Sequence, residues 1–257
     1  MTGRLAPIAS SLVAALVLAG CSNYYEIPIE TPIKPKLDIS GFQRVLIAGF
    51  ITGGTEDVDG NLETTRLLRS QLRTKSELRV IDADVLPLMD AAVQDREPQQ
   101  PSDAVPASNG NASAIHEEKD LEPYEHLFAD VEYWKRVGEE YQNPLIVTGT
   151  VMFTPASRNG FVQREQEVYD AVGRRRVVPV RTYMERKGFR LKPKFIFIDG
   201  RTGTTLHSET FTEEILYSAN QATPALSSYF ELMDRLVPSF LSALSSQKIK
   251  GSRVLLK

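Results

Sequence analysis

Uninterrupted apolar runs set the first pattern in this chain. Residues 44–50, RVLIAGF, and 144–151, PLIVTGTV, are apolar without alternation and rich in β-branched side chains, which predicts strands buried on both faces. A shorter strand is expected at 78–82. The segment KPKFIFIDGRTGTTLHSETFTEEILY predicts two strands joined through a turn at Gly200–Gly203.

A second pattern recurs every three or four residues. After a capping Asn61, with Glu63 in the first turn, Leu68 and Leu72 lie one turn apart and predict an amphipathic helix. A short helix is expected to start near Asp84 and Pro87. From Pro123, the positions Leu127, Val131, Trp134, Val137 and Tyr141 mark one helical face. The clearest helix is the last. Thr223 caps it, Pro224 fits its first turn, and Leu226, Phe230, Met233, Val237, Phe240 and Leu244 form its stripe, with Pro238 inside as an expected kink.

Between these elements the chain is polar. Residues 95–120 are poor in large apolar residues and read as a disordered insertion. Residues 161–190 read as a long protruding β-hairpin with GRRR at its tip, where Pro179 excludes a regular central strand. Residues 23–41 mix three prolines with alternating polar positions and predict an extended tether. The expected fold class is α/β: a single three-layer-like domain over 42–247, a mixed sheet flanked by helices, with an extended polar β-hairpin. A tail follows at 248–257.

The amino terminus adds a targeting signal. Arg4 precedes a stretch from Leu5 to Leu18 without acid or base, too short to be read as a membrane span. Leu18, Ala19 and Gly20 then lead into Cys21, the only cysteine of the chain, in the manner of a bacterial lipobox. The expectation is a signal peptide over 1–20, cleavage before Cys21, acylation of its thiol and a lipidated tether over 21–41. The mature chain would have 237 residues and a formal charge of −4, which argues against nucleic-acid binding.

Candidate chemistry is sparse. His116, His126 and His207 lie in separate segments with no metal-ligand spacing, and neither a nucleophilic cysteine nor a Gly-x-Ser-x-Gly elbow is present. No catalytic residue, metal, cofactor or small-molecule substrate is therefore expected. Arg174, Arg175 and Arg176 form a basic tip on a slightly acidic chain and are the candidate interaction residues.

The order of elements, Cys21, RVLIAGF, NPLIVTGTV, FIFIDGRTGTTLHSETFT and the helix from Pro224 together resemble the curli-secretion lipoprotein (CsgG-like) superfamily. Its relatives include the amino-terminal domain of TolB and lipoprotein activators of penicillin-binding proteins. The resemblance implies an outer-membrane lipoprotein in a diderm host, anchored by lipid at the periplasmic face. It would be a non-catalytic interaction or assembly module whose partners are envelope proteins, a second copy of the chain included, and it would regulate cell-wall synthesis. The alternative is a subunit or accessory of a CsgG-type oligomeric secretion channel. Against that stand the absence of a second hairpin between Tyr217 and the last helix, and charge on both alternating sets of the first.

Overall fold

The computed structural model describes residues 24–94, 115–218, 221, 223–245 and 247–256. In chain order the strands and helices are β1 (Tyr24–Ile33), β2 (Arg44–Gly54), α1 (Gly60–Lys75), β3 (Arg79–Val80), α2 (Leu88–Gln94), a 3-10 helix (Glu118–Ala129), α3 (Val131–Glu140), β4 (Leu145–Tyr169), β5 (Arg175–Asp199), β6 (Thr205–Thr210), β7 (Glu213–Ser218), α4 (Ala225–Leu244) and β8 (Gln247–Leu256). They form two compact units, one built from the chain ends and one spanning Lys36–Leu244.

The larger unit has the expected α/β architecture. Its mixed sheet runs β3-β2-β4-β5-β6, with β7 also paired to β5. Strand β2 is parallel to β3 and β4, and all pairs made by β5 are antiparallel. Because side chains alternate across a sheet, β2 supplies two cores. Val45, Ile47 and Phe50 pack with Leu68 and Leu72 of α1 and with Met233, Val237 and Phe240 of α4. Leu46, Ala48 and Ile51 pack on the other face with Leu88 and Ala92 of α2, Leu127 of the 3-10 helix and Trp134 of α3. Helices therefore cover both faces. Each fully buried Leu, Ile or Phe contributes about 1.5–3 kcal/mol, and the runs at 44–50 and 144–151 share the sheet's contribution with Phe195–Ile198 of β5.

Several boundaries differ from those expected, each for a local reason. The cap of α1 is Asp59, whose carboxylate accepts from Leu62 N at 2.9 Å, while Asn61 turns inward and accepts from Phe50 N at 2.8 Å. Residues 115–120, expected within the insertion, belong to the fold: Ile115 is buried, and Asp120 accepts from the backbone N–H groups of His116 and Glu117. These two donors hold the Asp120 carboxyl below its ordinary pKa. The rest of that insertion, 95–114, lies outside the described residues. No single α-helix starts at Pro123. The 3-10 helix ends at Asp130, which caps α3 by accepting from Glu132 and Tyr133 N, and Val131 is left 44% exposed.

The buried face of α4 is also rotated from the expected stripe. Met233, Val237, Phe240 and Leu244 are buried as expected, but Leu226 is 46% exposed and Tyr229, Leu232 and Leu236 replace it inside. Tyr229 sets this rotation: its hydroxyl bonds Thr64 and donates to the Gly60 carbonyl at 3.1 Å, joining α4 to α1.

In the smaller unit β1 pairs antiparallel with β8 over ten residues, from Tyr24↔Leu256 to Ile33↔Gln247. The segment expected as tether thus contains a strand, and the expected tail is its partner. Each strand of a two-stranded ribbon has a free edge, so Pro28 and Pro32 fit where a central strand would reject them. Tyr25, Ile27, Ile29 and Ile33 alternate along one face and are exposed.

Candidate interaction surfaces

Two features of the larger unit are open to solvent on a scale that matters for recognition. The first is the distal part of the β4–β5 pair. The two strands continue from the core without interruption, in one register from Leu145↔Asp199 to Tyr169↔Arg175. Strand β2 stops pairing with β4 at Phe153, and β7 stops pairing with β5 at Arg186. Beyond those points both outer edges are unpaired, and the two strands form an arm of about 37 Å at some 3.4 Å per residue. Pro179, opposite Glu165, sits on this free edge, where its missing N–H breaks no ladder. The sequence rule held for central strands; the arm has none.

The arm ends in a turn organised by Asp170. Its carboxylate accepts from Val172 N at 3.0 Å and Arg174 N at 2.8 Å, and its carbonyl accepts from Gly173 N at 2.9 Å. Gly173 adopts φ 77°, a left-handed conformation that glycine takes without steric cost. The expected tip residues Arg174, Arg175 and Arg176 follow directly and are all exposed. Arg174 lies 3.7 Å from Asp170 and Arg175 3.1 Å from Glu167. Arg176 has no acidic partner among the described residues.

Alternation sorts the remaining side chains of the arm. Residues of odd number include Phe161 and Tyr183, whose rings meet at 5.4 Å, together with Glu165, Glu167 and Glu185. Lys187 reaches Glu185 at 3.0 Å, and Arg181 lies 5.9 Å over the Phe161 ring. Residues of even number carry Arg158, Arg164, Arg176 and Arg186 and no strand acid. Over 155–189 there are eight basic and four acidic side chains, a net +4 on a chain of net −3.

The second feature is a groove of about 930 Å³ on the sheet face beside the 3-10 helix. Arg190, Lys192 and Lys194 line one wall at alternate positions of β5. Each faces a carboxylate: Arg190 meets Glu214 at 2.6 Å, Lys192 meets Glu118 at 2.5 Å and Lys194 meets Glu125 at 2.6 Å. Charges paired in this way fasten the 3-10 helix and β7 to β5 and neutralise these three basic side chains. Glu209, on β6 opposite Phe195 of β5, shows a related balance. Burial pushes its carboxyl pKa up, and the hydrogen bonds and charges of Lys36 and His207 more than offset this, leaving it below the ordinary value.

The histidines stay apart. His126 has Nδ1 2.8 Å from the Pro123 carbonyl, His207 lies 3.4 Å from Glu209, and His116 is exposed. Among the described residues no three His, Cys, Asp or Glu side chains stand close enough to hold a metal ion. Leu18, Ala19, Gly20 and Cys21, the expected processing and acylation residues, lie outside the described residues. No described helix is long and apolar enough to cross a membrane. Sequence reading located the tip but missed Arg164 and Arg186. Their signal was the alternation on either side of the tip, legible only once the register across it was known.

No family model matches the chain, and no curated protein matches it. Among solved structures it is similar to lipoprotein GNA1162 from Neisseria meningitidis, at 12% identity over 77% of this chain and 97% of that one, with a TM-score of 0.34. It is also similar to a neuraminyllactose-binding hemagglutinin homolog from Helicobacter pylori, at 11% identity over 81% of this chain and 83% of that one, with a TM-score of 0.33. TM-scores of this size do not establish a shared fold, and the α/β architecture rests on the strands and helices themselves.

Proposed function

We propose that this chain is a non-catalytic, lipid-anchored envelope protein that acts by binding other envelope proteins through the β4–β5 arm. The observation that carries this reading is the arm itself. It is a long two-stranded ladder with both edges unpaired and solvent on both faces, the geometry that accepts an added strand or a docked surface. The surrounding chemistry agrees, because Arg190, Lys192 and Lys194 in the groove are each held by a carboxylate and the described histidines are dispersed. Cys21 supplies the anchor, since each buried acyl methylene contributes about 0.8 kcal/mol and several such chains hold a domain at a membrane. The CsgG-like resemblance adds the outer membrane as destination and cell-wall synthases as the class of partner.

A photo-crosslinking residue at Tyr183, on the arm, should give discrete adducts with envelope proteins in cells, and one at Arg66, on α1, should not. Adducts at both positions alike, or only at Arg66, would remove the arm from the reading. Native mass spectrometry of the detergent-extracted protein tests the rest. A lipid-bearing monomer or dimer, with the lipid absent from Cys21→Ala, is expected; a many-subunit ring would replace the adaptor by a channel, and an unlipidated wild type would remove the anchor.

A further inference from the structure

We infer that the even-numbered face of the distal arm is a docking surface for an anionic phospholipid bilayer, leaving the odd-numbered face and the edges for protein partners. Between Val162 and Thr182 the paired residues of that face include Val162, Arg164, Gln166, Val168, Arg176, Val178 and Val180 and no acid, and the one even-numbered acid of the stretch, Asp170 in the turn, is occupied by Val172 N, Arg174 N and the Arg174 side chain. The register sets cation beside hydrocarbon on both strands: Arg164 lies opposite Val180, and Val168 opposite Arg176. Neither Arg164 nor Arg176 has an acidic partner among the described residues. Across the ribbon, Glu167 pairs with Arg175, so the sorting of charge between faces is built into the alternation.

Charge complementarity favours a bilayer over an acidic polypeptide. A carboxylate-rich partner would satisfy the guanidinium groups but would offer no apolar layer beside each of them. The headgroup boundary offers both at once, phosphates at one depth and acyl chains just below, so that valines enter while arginine stems extend upward to phosphate. The contact is confined to the distal stretch because a two-stranded ribbon twists, and a longer face would turn away from a plane. This inference does not depend on acylation of Cys21, and its test removes the acyl chain.

The test uses the full mature chain carrying Cys21→Ser and measures flotation with phosphatidylcholine vesicles, with and without phosphatidylglycerol. Binding is expected only with the anionic lipid. The pair Arg164→Gln and Arg176→Gln should weaken it roughly 30-fold, as two surface charges would. Arg175→Gln with Arg181→Gln, an equal charge change on the opposite face, should weaken it far less. Trp134 is the only native tryptophan and is buried, so Val178→Trp and Val177→Trp report neighbouring positions on opposite faces. Emission should shift to the blue on vesicles for Val178→Trp alone. Equal losses for the two arginine pairs, or equal shifts for the two tryptophans, would overturn the face assignment. Failure of the folded protein to float, whether or not it binds polyglutamate or itself, would overturn the bilayer as partner.

Discussion

Gly149 shows how one missing side chain holds the sheet together. The glycine has φ 142°, and a Cβ there would stand 1.8 Å from the Lys194 carbonyl oxygen of β5. Its missing side chain leaves room for the β5 backbone at Lys194. Gly149→Ala is expected to destabilise the larger unit by about 3 kcal/mol or more, from the unfavourable φ and the backbone displacement together, read as a lower urea midpoint. Tyr229 is a second such position. Burial pushes its phenol pKa well up, so the neutral hydroxyl holds α4 to α1 through Thr64 and Gly60 at any physiological pH. Tyr229→Phe should therefore cost about 1–3 kcal/mol, with the same loss at pH 6 and pH 9 because no titration intervenes. A loss that appeared only at high pH would contradict this account.

At the scale of elements, legibility followed burial. The strands at 44–50 and 144–151 and the last helix were readable because core contact imposes long apolar patterns on them. Asp59 was missed as a cap because Asn61 satisfies the same rule and the sequence cannot say which side chain turns inward. The rotation of α4 was missed because Tyr229 and Leu236 lie beside the expected stripe and only the bond to Thr64 chooses between the two faces. The arm tip was readable from Gly173 and its arginines, but the face carrying Arg164 and Arg186 depends on pairing across the turn. Strands β1 and β8 were least legible, since prolines on one and Gly251 on the other hide the alternation and their pairing partner lies at the far end of the chain. Their pairing makes a direct prediction. A chain ending at Ser245 should lose exchange protection throughout β1, because a lone strand has no ladder, while the thermal midpoint of the Lys36–Leu244 unit stays within about 2 °C.

For the molecule as a whole, the arm and the core it grows from answer to different requirements. Replacing residues 158–186 by Asn-Gly would join Ser157 to Lys187, which are already paired, through a two-residue turn suited to that register. The shortened chain should keep its circular dichroism and urea midpoint, because both cores lie at the base of the strands, and should lose the Tyr183-type crosslinks and the vesicle binding together. A large fall in stability would mean that the arm also supports the fold.

The pairing of β1 with β8 bears as well on the order in which the protein is assembled. A chain made from its amino terminus delivers β1 before β8, with the entire Lys36–Leu244 unit between them. Closing so long a loop is slow, so β1, with its row of isoleucines, must wait unpaired while everything else folds. Throughout that interval it is an adhesive edge, and a chaperone that shields extended apolar segments would be needed most at the strand synthesised earliest.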